Sequence, residues 1–119
     1  MPRILVLEDE VLISSMVQDW LNELGCETIG PARSVRDALE LIAGNSIDGA
    51  ILDVSLGKED CFPVADALAG AGIPIAFATG FGAHAVPSRF KDAPVLPKPF
   101  NFKAMSQAIA KLTRTHTRA

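Results

Sequence analysis

Polar side chains with catalytic potential stand where the short apolar segments of this 119-residue sequence end. Glu8 and Asp9 follow the first such segment, Asp53 lies near the end of the third, Thr79 ends the fourth, and Lys98 follows the fifth. Asp53 is the most unusual of them, because an unpaired carboxylate within an apolar strand is costly in free energy. Taken alone, Glu8 and Asp9 would suit the first turn of a helix, whose dipole favours acids. Their joint placement favours one shared site.

The chemistry of that site follows from its charges. Three carboxylates close together repel one another, so a divalent cation would stabilise them, and oxygen ligands without His or Cys favour Mg²⁺ over zinc or copper. Mg²⁺ prefers one or two protein carboxylates together with phosphate oxygens. A carboxylate can attack phosphorus to form an aspartyl phosphate, while the metal and a lysine neutralise charge on the transferred group. The set predicts phosphoryl transfer to Asp53.

The elements that would position these residues are short apolar segments alternating with amphipathic stretches, which is typical of βα repeats around a parallel sheet. We predict strands at 3–7, 26–30, 49–54, 73–78 and 93–96, the second of them closed by Pro31. Five strands in this length indicate a doubly wound open α/β sheet. Ligands of such sheets bind beyond the carboxyl ends of the strands, where all five chemical side chains lie.

Helical periodicity fills the intervals between these strands. The first helix has an apolar stripe and ends at Gly25; its stripe is Leu12, Ile13, Met16, Val17, Trp20, Leu21 and Leu24. Ser34 opens the second helix as a cap, residues 63–71 form the third, and Asn101 caps the last, with Phe102, Met105, Ile109 and Leu112 on its apolar side. Two glycines and a proline at 80–89 predict a short or irregular fourth helix.

Composition narrows the class of protein. A net charge of −3 argues against nucleic-acid binding. Cys26 and Cys61 fit no metal pattern and indicate two separate buried thiols in a reducing cytosol. Neither a secretory signal nor an apolar run of the ~20 residues that span a membrane is visible, so we expect a cytoplasmic protein. We predict a single domain over 1–119, with a flexible basic tail at 113–119.

With these residues assembled, the sequence resembles the receiver domain of bacterial response regulators over almost its whole length. Residues 4–9 (ILVLED) are similar to the family's first strand and acidic pair, 51–54 (ILDV) to its phosphoacceptor strand, and 96–100 (LPKPF) to its lysine loop. The resemblance implies a flavodoxin-like fold with strand order 2-1-3-4-5.

The resemblance also implies a role for each site residue. Asp9 would ligate Mg²⁺ directly, Glu8 directly or through water, Asp53 as both ligand and phosphoacceptor, and Ser55 through its backbone carbonyl. Thr79 would hydrogen-bond the phosphoryl group and Lys98 would pair with it. The peptide bond between Lys98 and Pro99 would be cis, which re-aims the lysine.

A narrower resemblance lies in residues 74–81 (PIAFATGF), which are similar to the Pro-Phe-x-Phe-Ala-Thr-Gly-Tyr signature of the FAT GUY response regulators, mostly single-domain proteins. Ile75 and Phe81 depart from that signature. Val95 stands where many receivers carry an aromatic residue that turns inward on activation. An aromatic switch is therefore not expected here, and we predict signalling through displacement of residues 79–89, where glycines can absorb dihedral change.

Three other functions remain open at this point. A flavodoxin-type carrier would need a glycine- and hydroxyl-rich phosphate loop where this chain has Glu8-Asp9-Glu10. An Mg²⁺-dependent phosphatase would usually carry an acid–base Asp at the position of Ser55. A degenerate receiver would act only as a scaffold, but the acidic pair, Asp53, Thr79 and Lys98 are all present.

The resemblance implies partners rather than substrates. We expect a sensor histidine kinase or a histidine phosphotransfer protein as phosphoryl donor, and a downstream protein target. We expect no nucleic acid, no membrane, no turnover enzyme activity, and a monomer or weak dimer.

Overall fold

Seven strands are present in the computed structural model, which describes residues 1–116. They are β1 (Arg3–Leu7), β2 (Glu27–Ala32), β3 (Gly49–Asp53), β4 (Ser55–Leu56), β5 (Glu59–Asp60), β6 (Ile75–Thr79) and β7 (Val95–Pro97). Five of them form a parallel sheet in the order β2-β1-β3-β6-β7, and β4 pairs with β5 in a separate antiparallel hairpin. Counted along the main sheet alone, this order is 2-1-3-4-5, which confirms the predicted doubly wound, flavodoxin-like fold.

The helices of the described chain are α1 (Val11–Glu23), α2 (Val35–Gly44), α3 (Phe62–Gly70) and α4 (Phe102–His116). Two 3₁₀ turns, Ala83–Ala85 and Ser88–Phe90, stand where a helix between β6 and β7 would lie. This confirms the prediction of a short or irregular element there. Helix α4 contains the first four residues of the predicted tail at 113–119. Residues 117–119 lie outside the described residues, so flexibility of the tail stays a prediction.

Each face of the sheet buries its own apolar cluster, because side chains alternate between the faces along a strand. On one face, Leu52 and Phe77 pack with α2 and α3. On the other, Ile51 and Ala76 pack with α1 and α4. Full burial of one large aliphatic or aromatic side chain stabilises the fold by about 1.5–3 kcal/mol. Two covered faces leave the ends of the strands as the place for polar chemistry.

Helix capping follows the sequence prediction at two helices. Ser34 Oγ accepts a hydrogen bond from the amide of Asp37 at 3.1 Å at the start of α2. Asn101 Oδ1 accepts from the amide of Ala104 at 2.8 Å at the start of α4. Such caps satisfy backbone donors that have no partner within the helix.

The apolar stripe of α1 is partly wrong, because Leu12 is 86% exposed. The buried side chains of this helix are Ser14, Val17 and Leu21. At 3.6 residues per turn, Leu12 lies about 140° around the helix from Val17, so its side chain faces away from the core.

The second strand also differs from the prediction, since it continues through Pro31 to Ala32. The pairing of β1 with β2 is irregular between Leu5 and Leu7, whose partners are Ile29 and Ala32. This irregularity accommodates Pro31, which has no amide to donate, and β2 is an edge strand where proline is tolerated.

Candidate functional site

The predicted site residues converge at the carboxyl edge of the main sheet. Glu8 follows β1, Asp53 and Thr79 end β3 and β6, and these three are the charged or hydrogen-bonding side chains buried there, at 4%, 5% and 2% exposure. Lys98 follows β7 and is mostly buried. Parallel strands bring their carboxyl ends to one edge, which is why residues far apart in sequence meet here.

Lys98 joins two of the carboxylates. Its Nζ atom lies 3.1 Å from Glu8 Oε1 and 3.1 Å from Asp53 Oδ2. Its own amide donates to the carbonyl of Thr79 at 2.9 Å, which fixes the start of the loop against β6. The peptide bond between Lys98 and Pro99 is cis, as the resemblance implied.

Glu8 is held on its other side by the main chain. Its Oε2 atom accepts a hydrogen bond from the amide of Glu10 at 3.1 Å. Burial raises the pKa of Glu8 to about 7, and the nearby charge of Asp53 adds to the rise, while the Glu10 amide and Lys98 oppose it. The part played by Glu10 was not predicted, because a backbone amide leaves no trace in residue type.

Burial is also the dominant influence on Asp53 and Lys98. It raises the pKa of Asp53 more than the ammonium of Lys98 lowers it. For Lys98, burial lowers the pKa, but the hydrogen bonds to Glu8 and Asp53 and the charges of both carboxylates together outweigh this and leave it raised. Lys98 is therefore held in its charged form between two carboxylates that are costly to ionise without it.

The carboxylates fit a divalent cation. Oxygen atoms of Glu8, Asp9 and Asp53 all lie within 4.8 Å of one another, and Asp9 is exposed. Asp9 and Asp53 border a cleft of about 280 Å³ that Ser55 and Lys98 also line. Oxygen ligands with one open side suit Mg²⁺ that keeps waters or phosphate oxygens. Ser55 thus lies at the cleft, and its carbonyl as a ligand stays a prediction.

The hydroxyl of Thr79 stands beside this cleft. Its Oγ1 atom accepts a hydrogen bond from the amide of Phe81 at 3.0 Å. This leaves the hydroxyl proton of Thr79 available for another acceptor. Phe81 lines the same cleft and is 67% exposed. Gly80 and Gly82 flank it, and Gly82 has a φ of 83°, a conformation that glycine adopts without strain.

The far end of this segment is anchored to α3. Arg89 makes a two-pronged ion pair with Asp66, Nε to Oδ1 at 3.0 Å and Nη2 to Oδ2 at 3.1 Å. The neighbouring ring of Phe90 packs at 5.3 Å from Phe77 and stacks at 6.4 Å on Phe62, measured between centroids. Residues 80–89 therefore connect the cleft to a position where Arg89 pairs with α3 and the adjoining Phe90 packs in the core.

Comparison with protein families decides the classification. The model of the response regulator receiver domain matches residues 4–110. The chain belongs to the receiver domain family of two-component signalling. The rival flavin-carrier and phosphatase interpretations are accordingly set aside.

Curated relatives share about a third of their residues with this chain. The transcriptional regulatory protein PdtaR of Mycobacterium tuberculosis is 33% identical over 111 residues, covering 90% of this chain and 54% of PdtaR. The transcriptional regulatory protein LytR of Staphylococcus aureus is 31% identical over 117 residues, covering 95% of this chain and 48% of LytR. The chain thus spans about half the length of these relatives.

Solved receivers have the same fold. The solution structure of SdrG from Sphingomonas melonis is 45% identical with a TM-score of 0.83, covering 95% of this chain and 97% of that one. The response regulator TrrA of Thermotoga maritima, solved in complex with Mg²⁺ and beryllium fluoride, is 26% identical with a TM-score of 0.81, covering 94% of this receiver and 99% of TrrA.

Two further sequence predictions concern the rest of the chain. Cys26 and Cys61 are free and buried, as predicted. Burial raises the pKa of Cys61 to about 12, and the charges of Asp60 and Asp53 add to this rise. Within residues 1–116, none of the helices has the length and apolar character needed to cross a membrane.

Proposed function

We propose that this receiver accepts a phosphoryl group on Asp53 in an Mg²⁺-dependent reaction and transmits the signal by protein contact or onward phosphotransfer. The observation that carries the proposal is the bridge that Lys98 makes to Asp53 and Glu8, at 3.1 Å each, beside the exposed Asp9. A fixed cation next to a buried carboxylate favours acyl-phosphate formation, because it neutralises charge on the transferred group.

The reaction balances without further reactants. A carboxylate oxygen of Asp53 attacks the phosphorus of a phosphohistidine or of acetyl phosphate, and a P–O bond forms as the P–N or P–O bond to the leaving group breaks. Lys98 neutralises charge on the transferred oxygens, and the Thr79 hydroxyl donates to one of them. Asp9, Asp53, Glu8 and the carbonyl of Ser55 would hold Mg²⁺, which supplies further charge neutralisation.

Activation follows from what Thr79 must do. In the structure, the hydroxyl oxygen of Thr79 accepts a hydrogen bond from the amide of Phe81. When the hydroxyl turns to the phosphoryl group, the loop that carries Phe81 moves with it. Gly80 and Gly82 allow that movement, whereas Arg89 is fixed to α3 by Asp66. We infer that the output surface changes between residues 79 and 89, without an aromatic switch at the half-buried Val95.

The finer classification is part of the proposal. We propose a single-domain FAT GUY receiver, supported by the stretch Phe77-Ala78-Thr79-Gly80, by the 3₁₀ turns between β6 and β7, and by the near-complete mutual coverage with SdrG. We further propose a cytoplasmic phosphoprotein that is not a turnover enzyme. Its partners would be a sensor histidine kinase or a histidine phosphotransfer protein and a downstream protein target, and it would be a monomer or weak dimer without nucleic-acid or membrane binding.

Beryllium fluoride tests this proposal, because it can stand in for a phosphoryl group bonded to a carboxylate. SdrG has been solved in a BeF₃-activated conformation. Titration of the ¹⁵N-labelled protein with beryllium fluoride and Mg²⁺ should shift the amides of Asp53, Gly80 and Lys98 strongly. Asp53→Asn should bind Mg²⁺ weakly and show no beryllium fluoride response. A full response in Asp53→Asn would contradict the proposal.

A further inference from the structure

The hairpin formed by β4 and β5 carries one wall of the cleft. It follows the phosphoacceptor strand after a single residue, and its register pairs Ser55 with Asp60 and Leu56 with Glu59. Ser55 and Gly57 line the cleft that Asp9 and Asp53 border. The position of this hairpin therefore decides where the Ser55 carbonyl, a proposed Mg²⁺ ligand, lies.

The hairpin has little intrinsic stability, because an isolated two-stranded hairpin is marginal in water. Leu56 is buried in the core and fixes the first strand. At the far end, Asp60 Oδ1 accepts from the amide of Phe62 at 3.1 Å, and the Cys61 amide donates to the Val54 carbonyl at 3.1 Å. The first of these bonds joins the hairpin to the start of α3, which follows it directly in the chain, and neither bond ties the hairpin to a helix distant in sequence.

Glu59 supplies such a tie. Its Oε2 atom accepts a hydrogen bond from the amide of Val35 at 3.1 Å, across 24 residues of sequence. Val35 is the first residue of α2, where free amides and the helix dipole both favour a carboxylate. Ser34 occupies a different donor of the same helix end, the Asp37 amide. One helix end is thus capped twice, once locally and once from the hairpin of the cleft.

We propose that Glu59 is a positioning residue for the Mg²⁺ site, which anchors the hairpin to α2 and so places the Ser55 carbonyl. The inference rests on the proposed function. Glu59 touches neither the metal nor the phosphoryl group in this account; it acts through the backbone of its cross-strand neighbours. Loss of a partner that orients a metal ligand typically costs about 10- to 100-fold in metal affinity. Glu59 is exposed, so its loss should weaken Mg²⁺ binding less, by about 3- to 10-fold.

Two explanations of a weakened site must be separated, the loss of the tether and the loss of a nearby negative charge. Glu59→Asp keeps the charge but shortens the side chain, so it should bind Mg²⁺ as weakly as Glu59→Ala. Glu59→Gln loses the charge but keeps an acceptor oxygen at the same reach, so its dissociation constant should stay within about 2-fold of the unaltered protein. Normal Mg²⁺ affinity in Glu59→Asp together with weakened affinity in Glu59→Gln would overturn the proposed tether.

A matched control isolates helix capping. Ser34→Ala removes the local cap of the same helix end without touching the hairpin, and it should lower the free energy of unfolding while leaving Mg²⁺ affinity unchanged. The dissociation constants are measured by Mg²⁺ titration of ¹⁵N-labelled proteins, following backbone amides. We expect the amides of Ser55 and Gly57 to shift in Glu59→Asp before any metal is added.

The outcomes separate this inference from the function on which it rests. Saturable Mg²⁺ binding by the unaltered protein, with a weaker site in Glu59→Ala and Glu59→Asp alone, supports both. Equal dissociation constants for Glu59→Asp, Glu59→Ala and Ser34→Ala would overturn the positioning role and leave the proposed function intact. An unaltered protein that binds no Mg²⁺ would overturn both.

Discussion

The Nζ atom of Lys98 lies 3.1 Å from Oδ2 of Asp53, the carboxylate proposed to accept the phosphoryl group. Both side chains are largely buried, so the attraction between them is less screened than on the surface. Lys98→Ala should therefore slow phosphoryl uptake from acetyl phosphate about 100-fold or more. Mg²⁺ should bind at least as tightly as before, because the competing cation is gone. Time-resolved intact mass and Mg²⁺ titration measure the two effects.

Lys98→Arg is the matched control for that variant. It keeps the charge but replaces a compact ammonium by a planar guanidinium, so uptake should fall less than in Lys98→Ala. A Lys98→Ala protein that takes up phosphoryl groups at the normal rate would contradict the role of Lys98. Loss of Mg²⁺ binding in this variant would contradict the electrostatic argument.

Glu8 should make the stability of the metal-free protein depend on pH. Its folded pKa of about 7 lies above the ordinary value of 4.5. The contribution of Glu8 to the free energy of unfolding is fully present at pH values below its pKa in the unfolded chain. It is lost as the pH rises through its pKa in the folded protein. We expect the free energy of unfolding to fall by on the order of 1–3 kcal/mol between about pH 5 and pH 8.

Urea unfolding in EDTA measures this fall, with Glu8→Gln as the comparison. The side-chain amide of this variant cannot ionise, so its free energy of unfolding should fall clearly less over the same pH range. Identical pH profiles for the two proteins would show that Glu8 is not the group responsible.

The segment between Thr79 and Phe90 should respond unevenly to phosphorylation. Gly80 and Gly82 can absorb dihedral change, whereas the ring of Phe90 is packed against Phe77 and Phe62. In ¹⁵N–¹H spectra, the amide shifts on activation should be large at Gly80 to Gly82 and small at Phe90. Shifts at Phe90 as large as those at Gly80 would require release of the anchor and would contradict this mechanism.

Val95→Tyr tests whether the missing aromatic residue matters for the chemistry. Val95 lies on β7 beside Phe77 of β6, away from the cleft-lining side chains. Phosphoryl uptake by the variant should equal that of the unaltered protein. A large loss of uptake would show that this position is coupled to the site.

Much of the site could be predicted from residue type and position. Each of Glu8, Asp53 and Thr79 interrupts or ends an apolar strand, and parallel topology then brings them to one edge. The central strands β1, β3 and β6 could be predicted because they are buried on both faces and give continuous apolar runs, whereas the edge strands β2 and β7 are only partly buried and give a weaker signal. Asp53 was the strongest signal, since a carboxylate in such a run needs a partner, and Lys98 is that partner.

The remainder depends on contacts that leave no periodic pattern. The strands of the β4–β5 hairpin have two residues each, and β5 consists of two acids, so neither alternation nor an apolar run marks the hairpin. Glu59 is fixed by a backbone amide 24 residues away, and Glu8 by the amide of Glu10. The exposure of Leu12 follows from the rotation of α1 on the sheet, which spacing alone does not determine.

Asp53 is proposed to accept one phosphoryl group when Mg²⁺ is present. The most direct measurement is the intact mass of the protein after incubation with acetyl phosphate, in Mg²⁺ and in EDTA. We expect a single phosphoryl adduct in Mg²⁺, very little in EDTA, and none in Asp53→Asn under either condition. An undiminished adduct on Asp53→Asn, or no adduct on the unaltered protein in Mg²⁺, would contradict this proposal.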